Sequence, residues 1–391
     1  LSVKYREINS EGFTAGGPMY TIENGMGKKW KWLAVAFAGF AIICSFATGN
    51  AIQSFTISDQ IYSESVQLLG GDHFLTENRI FLGFLEFNFQ QIIIGIILAA
   101  LVGAVIIGGI KRIGQVTSYL APIMAVIYVF SSILVLIYHV DKIGESFGLI
   151  FNGVFNPKAT IIGAGGGAVM TMLNTMLMGI KRGLYSNEAG QGSAAIAHSA
   201  AKTNFPVREG AVAMLGPYID TIIICTLTGL VILCTGAWKH TEYFVSISAT
   251  SINEFNQSIS QNSFRGLELI NGSLLTSFAF KNGLSWIFSF GDKIITLSVL
   301  LFATSTAISW SFYGDRATEY LFGEKAIYWY RLVYIFFVFI GANASIEAVW
   351  AFGDAALGFM TFPNLISIVF LTGALKKMTT KYFKHDYESK G

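Results

Sequence analysis

Apolar runs of about 20 residues, the length of a helix that crosses a bilayer's hydrocarbon core, recur along most of this chain. Eight stand out, at residues 33–57, 89–110, 116–138, 160–180, 211–236, 294–313, 327–346 and 349–375. Short polar segments separate them. The pattern predicts an all-α, polytopic membrane protein folded as one domain over residues 1–391. The last run holds Pro363 and, near its start, Asp354, so it is expected to kink or split there. One connection, residues 240–291, is long and rich in Ser and Asn.

Basic residues set the orientation. Lys28, Lys29 and Lys31 precede the first run, Lys111 and Arg112 separate the second from the third, and Lys376 and Lys377 follow the last. With eight spans these clusters share one side, which is then cytoplasmic. The 240–291 loop falls outside, as does the acidic stretch with Glu64, Asp72, Glu77 and Glu86. The densest polar block, residues 182–202, falls inside, and reads as the mouth of a pathway rather than as a ligand site.

Composition agrees. Only 13% of residues are charged and the mean hydropathy is +0.56, against about 25% charged in soluble domains. A net charge of +2 leaves no nucleic-acid footprint. Cys44, Cys225 and Cys234 lie in apolar runs without metal-like spacing. The chain carries neither HExxH nor a phosphate-binding GxxxxGK[ST] loop, so neither a zinc protease nor an ATP-driven pump fits. The reading is of a transporter, not an enzyme, with no cofactor beyond a coupling ion. The chain opens on Leu1 and a polar segment, which suggests the remainder of a longer protein.

Four features could carry transport chemistry. Asp220 lies in the middle of a span, where an acid costs about 2.5–3.5 kcal/mol; it is either functional or a structural carboxylate held by a neighbour. Gly165, Gly166 and Gly167 weaken a span and would expose backbone groups to a ligand, with Thr171 and Asn174 one and two turns on; close helix packing is the alternative. Phe46, Asn50, Gln53 and Ser54 share one face of the first span, where Asn50 and Gln53 would meet either a substrate or another helix. Finally, Thr304, Ser305 and Thr306 offer oxygens to a hard cation, and Trp310, one turn past Thr306, would share its cavity. Bonds to their own helix are the alternative for the hydroxyls.

Five segments add a resemblance: Gly16-Gly-Pro-Met-Tyr20, Gly49-Asn-Ala-Ile-Gln-Ser54, residues 182–193, Met214-Leu-Gly-Pro-Tyr-Ile-Asp-Thr221 and Trp310-Ser-Phe-Tyr-Gly-Asp315. In this order they closely resemble the alanine/glycine:cation symporters, also called sodium:alanine symporters. The resemblance implies eleven spans, eight of them present here, around a LeuT-like inverted-repeat core in a bacterial or archaeal inner membrane. It implies uptake of alanine, glycine or a similar small neutral amino acid with Na⁺ or H⁺. Substrate contacts are then expected from Phe46, Asn50, Gln53, Gly165, Gly166, Gly167, Thr171, Asn174, Thr306 and Trp310, and ion contacts from Thr304 and Ser305. Two departures stand out. Three spans that such symporters carry upstream are missing, which keeps a non-transporting remnant as the alternative, with a passive channel behind it. The 240–291 loop is also long for the family and reads as an insertion without a role in transport.

Overall fold

The computed structural model describes residues 1–9, 12, 14–69, 73–82, 85–155, 168–239 and 272–388. Helices dominate. A short N-terminal helix, α1 (Ser2–Tyr5), a two-residue ribbon of Glu7–Ile8 against Thr14–Ala15 and α2 (Pro18–Met26) precede the first span. That span is α3 (Lys31–Phe46), a π-helical turn at Ala47–Ala51 and α4 (Ile52–Leu69). After α5 (Phe74–Glu77), an antiparallel hairpin pairs Arg79–Leu82 with Leu85–Asn88. Then come α6 (Phe89–Ile106), α7 (Gly109–Tyr138), α8 (Val140–Phe155), α9 (Ala168–Ser186), α10 (Ser193–Ser199) and α11 (Pro206–Ala213). A second π segment, Tyr218–Cys225, leads into α12 (Thr226–Cys234). The chain ends with α13 (Gly272–Gly283), α14 (Gly291–Phe322), α15 (Ala326–Ala342), α16 (Ile346–Phe370) and α17 (Thr372–Glu388).

Among the described residues, six helical stretches are long and apolar enough to cross a membrane, and α15 is apolar but shorter. The chain is therefore an all-α, multi-pass membrane protein. The spans differ from the hydropathy pattern where polar residues are buried by protein. The first runs from Lys28 to Val66, well past residue 57, because Ser58, Gln60, Ser63 and Glu64 are covered by neighbouring helices rather than by lipid. The run at 294–313 likewise extends, as α14, to Phe322 for the same reason: Asp315 is fully buried and held by Arg331 of α15 at 2.6 Å.

Helix α14 sits at the centre, against α3, α4, α7, α13 and α15. Small residues let its neighbours approach. A Cβ on Gly314 would stand 1.8 Å from the Tyr330 hydroxyl, so only glycine admits that ring, as small residues do between membrane helices.

At three places the described residues add to the hydropathy pattern. The last run does not split at Pro363, which lies inside one continuous helix of 25 residues, since a proline removes one N–H but neighbouring helices can hold the turn; the run breaks instead at Leu371, between α16 and α17. Part of the 240–291 connection is structural: α13 buries Ala279 and Phe280 completely, beside Val135 and Ile295. And α8, amphipathic rather than uniformly apolar, fills the stretch between the third and fourth runs, where hydropathy alone marks only a connection. Ser146 on its buried side meets the Cys234 thiol at 3.3 Å.

Candidate functional site

The π turn of the first span is the centre of the site. A π turn inserts one extra residue per turn and disturbs the i→i−4 ladder, and such turns recur at functional sites. All five of its residues, Ala47 to Ala51, are buried. The Thr48 carbonyl accepts from two side chains, Gln53 Nε2 and Tyr185 Oη, each at 3.3 Å. Gln53 Nε2 also reaches the Tyr185 oxygen at 3.3 Å. Three polar groups thus share one small triangle of hydrogen bonds, all longer than the usual 2.9–3.0 Å. On the other side, the Thr48 hydroxyl donates to the Gly353 carbonyl of α16 at 3.3 Å. Asn50 donates to the Tyr334 carbonyl of α15 at 2.7 Å and accepts from Ser54.

Trp310 of α14 closes one wall. It is 4% exposed, and a Cβ on Gly49 would stand 2.1 Å from its own Cβ. Glycine at position 49 is what lets the indole lie on the π turn. The indole also lies beside the Glu188 carboxyl and meets Tyr313 edge-on at 5.1 Å between centroids. Glu188 stands at φ 51°, in the left-handed region that costs a side-chain-bearing residue of order 1 kcal/mol. It accepts from Ser193 Oγ at 2.7 Å. Burial raises its carboxyl above the ordinary range, against the lowering influence of Ser193, nearby His198 and Trp310. The opposite wall is Tyr185 beside Trp350, with the Arg182 guanidinium 4.0 Å over the Trp350 ring and 3.4 Å from Asp354. Lys181 reaches the same carboxylate at 3.7 Å.

The structure brings some predicted residues together and separates others. Asn50, Gln53 and Trp310 all touch the π turn. Phe46 packs on α15, against Phe337, Tyr330 and Tyr334, the helix whose Tyr334 carbonyl Asn50 also meets; the extra residue of the turn shifts the helical phase between it and Gln53. Thr306 bonds back to the Phe302 carbonyl at 2.8 Å, while Trp310, one turn on, lies against Gly49. Thr304 is half-buried and Ser305 buried. Gly165, Gly166 and Gly167 lie outside the described residues; Thr171 and Asn174 sit on α9, where only their backbone is described. Asp220, in the second π segment, accepts from Ser186 at the end of α9, and the adjacent Thr221 donates to Asn187 at 2.7 Å.

The polar block is closer to the site than its charges suggest. The block reaches the π turn through Tyr185, and Glu188, in the turn that follows, lies beside Trp310. Hydropathy and charge counting missed Tyr185 and Trp350, and placed Glu188 with Asn187 only at the inner mouth of the pathway, as a residue to gate or brace it. Among the described residues, no group of three or more His, Cys, Asp or Glu side chains is placed to hold a metal ion.

What the triangle can do follows from its geometry. A backbone carbonyl freed by a π turn can accept from an ammonium. A primary amide and a phenol that now bond each other and that carbonyl can turn to a carboxylate. The long bonds are ones a ligand can replace without leaving a buried group unpaired.

Comparison with known proteins agrees in scale and class. The profile of the Sodium:alanine symporter family matches residues 1–391. An uncharacterized transporter of Haemophilus influenzae is 35% identical over 98% of this chain and 72% of its own length. The sodium/alanine symporter AgcS of Methanococcus maripaludis matches at the same identity and coverage. A sodium/proton-dependent alanine carrier protein of Bacillus sp. PS3 is 33% identical over 73% of this chain and 60% of its own length. With a buried π turn on a multi-pass helical scaffold and a family match over its whole length, this chain is a membrane transport protein that belongs to the sodium:alanine symporter family.

Proposed function

We propose that this protein couples entry of Na⁺, or of a proton, to uptake of a small neutral amino acid such as alanine or glycine across a bacterial or archaeal inner membrane. The observation that carries the reading is the triangle of Thr48 carbonyl, Gln53 amide and Tyr185 hydroxyl beneath Trp310. An amino acid presents an ammonium and a carboxylate a few ångströms apart, and the triangle holds one acceptor and two donors at that spacing. The Gly49–Trp310 contact leaves little depth for a side chain, which favours a methyl group or a hydrogen. Thr304 and Ser305, about one and a half helix turns before Trp310 on α14, remain the proposed ion contacts, supported by the preference of a small hard cation for oxygen. The family's inverted-repeat core, with a Gly-rich discontinuous helix at Gly165–Gly167, belongs to the same proposal.

Uptake of labelled alanine into proteoliposomes holding the full chain tests it. An inward sodium gradient is expected to drive saturable accumulation, and a proton gradient to do so only if the coupling ion is H⁺. Gln53→Ala should raise the alanine KM by about ten- to a hundredfold, because one charge-assisted hydrogen bond contributes about 1.5–3 kcal/mol. Flux that neither saturates nor follows either gradient would make the protein a channel instead.

A further inference from the structure

Beyond the π turn, the same face of α4 carries Gln60 and Glu64, seven and eleven residues after Gln53, at helical spacing. Both are buried, Gln60 at 1% exposure. They belong to one connected network in the halves of α4 and α14 that the basic-residue rule places outside. Gln60 Nε2 donates to Ser277 Oγ of α13 at 3.1 Å and to Thr296 Oγ1 of α14 at 3.0 Å. Thr296 Oγ1 donates to Glu64 Oε1 at 2.5 Å. The Lys293 ammonium bridges Glu64 and Asp292, 3.2 Å from Asp292 Oδ2.

This network fixes the orientation of the Gln60 amide. Thr296 has a single hydroxyl proton and gives it to Glu64, so toward Gln60 it can only accept, and Gln60 must present its NH₂. The amide oxygen, Gln60 Oε1, is then left buried without a donor, and so is Asp292 Oδ1. Each orphan oxygen is covalently tied to a group whose other polar atom is already fixed in the network, so both lie at its edge. Buried acceptors of this kind need a donor or a cation. The charges choose between cations. Glu64 and Asp292 supply two negative charges and Lys293 one positive, so one monovalent ion makes the network neutral, whereas a divalent ion overshoots. The available ligands are all oxygens, which suit a hard alkali ion.

The geometry points to a sodium site between α4, α13 and α14, formed by Gln60 Oε1 and Asp292 Oδ1 with Glu64 beside them, separate from the π turn. Lys293 acts there as a tethered cation: it holds Glu64, and an arriving sodium ion takes over Asp292. Because the ligands come from α4 and α14 and are backed by Ser277 of α13, the bound ion ties three helices together. The site does not depend on which amino acid, if any, is transported, and its test uses sodium alone.

Hydrogen–deuterium exchange on the full chain, in sodium against N-methyl-D-glucamine at equal ionic strength and without amino acid, reads the site directly. Amides of residues 58–66, 275–283 and 291–298 are expected to exchange about tenfold more slowly when sodium stands at roughly ten times its dissociation constant. Asp292→Asn and Gln60→Leu should each remove that protection. If wild-type protein shows no sodium effect in these segments, or shows it only around residues 44–54, the orphan oxygens hold water and the proposal fails. If the effect persists in both variants, it fails equally. Should a variant not fold, the wild-type measurement alone decides.

Discussion

Two polar clusters lie along one face of α4, and they are built on opposite terms. Around the π turn the groups are uncharged and bonded at 3.3 Å in a shared triangle. One turn and more further out, Gln60, Glu64, Thr296 and Lys293 are bonded at 3.0 Å or less, and charges face charges. Long, neutral, exchangeable bonds suit a ligand that must arrive and leave. Short, ionic bonds suit a device that holds helices in register. The difference shows how one amphipathic stripe in a membrane protein can serve recognition at one end and locking at the other.

The largest effect is expected where the inner cluster depends on shape. Gly49→Ala puts a methyl group 2.1 Å from Trp310 Cβ. Overpacking of that kind costs about 1–3 kcal/mol or more, and it separates the π turn from its roof. Thermal unfolding in detergent should shift down by several degrees and alanine uptake should vanish. Gly39→Ala on α3, with nothing within 4 Å of its added Cβ, should be neutral or slightly stabilising, since Ala is the better helix former by about 1 kcal/mol. Equal effects at both glycines would mean that close approach is not what the π turn requires.

The outer cluster should respond to charge rather than shape. Lys293→Met leaves Glu64 and Asp292 facing each other without their cation. Breaking a buried pair costs about 3–5 kcal/mol, but the Lys293 side chain is 40% exposed, so about 1–2 kcal/mol is the better expectation. Adding Glu64→Gln should restore part of the loss, measured by the same unfolding assay. A pair that contributes nothing would leave the single variant unchanged, and the contrast between the two clusters would collapse.

Much of the scaffold was legible in the sequence, and the reasons for the misses are physical. Hydropathy found the apolar cores of the spans because lipid-facing positions must be apolar. It misjudged their ends wherever protein, not lipid, covers polar side chains, as at Ser58–Glu64 and Asp315. It picked out Asn50, Gln53 and Trp310 because amides and a large ring are rare in such runs. It could not foresee that a π turn shifts the phase between Phe46 and Gln53, since a single inserted residue leaves no mark on composition. Tyr185 was hidden for another reason: its block is rich in charge, and charge counting assigns such blocks to the water.

Glu188 offers a test in pH. Burial raises its carboxyl, so the folded state prefers the neutral form. Its contribution to stability is fully present below the ordinary carboxylate value of about 4.3. It falls as pH climbs through the raised folded value, because the unfolded chain releases the proton first. Glu188→Gln should flatten that slope and leave the protein at least as stable near neutral pH, as followed by unfolding across a pH series. An unchanged slope would assign the pH dependence to other groups and remove Glu188 from the inner cluster's electrostatics.

The smallest effect is expected at Asp220, the residue that hydropathy marks most sharply. Its carboxylate accepts from Ser186, and the neighbouring Thr221 is tied to Asn187, so both bonds fasten the second π segment to the end of α9. No side chain of the inner triangle is among its partners. Asn can still accept from Ser186, so Asp220→Asn should change stability by about 0.5–1 kcal/mol, the scale of one neutral hydrogen bond, and leave the sodium and pH dependence of uptake intact. Asp220→Leu removes the acceptor and should cost more while still sparing ion dependence. If Asp220→Asn abolishes ion-driven uptake without destabilising the fold, the carboxylate serves the ion directly. The division between a neutral recognition end and a charged locking end would then have to admit a third, acidic station beside α9.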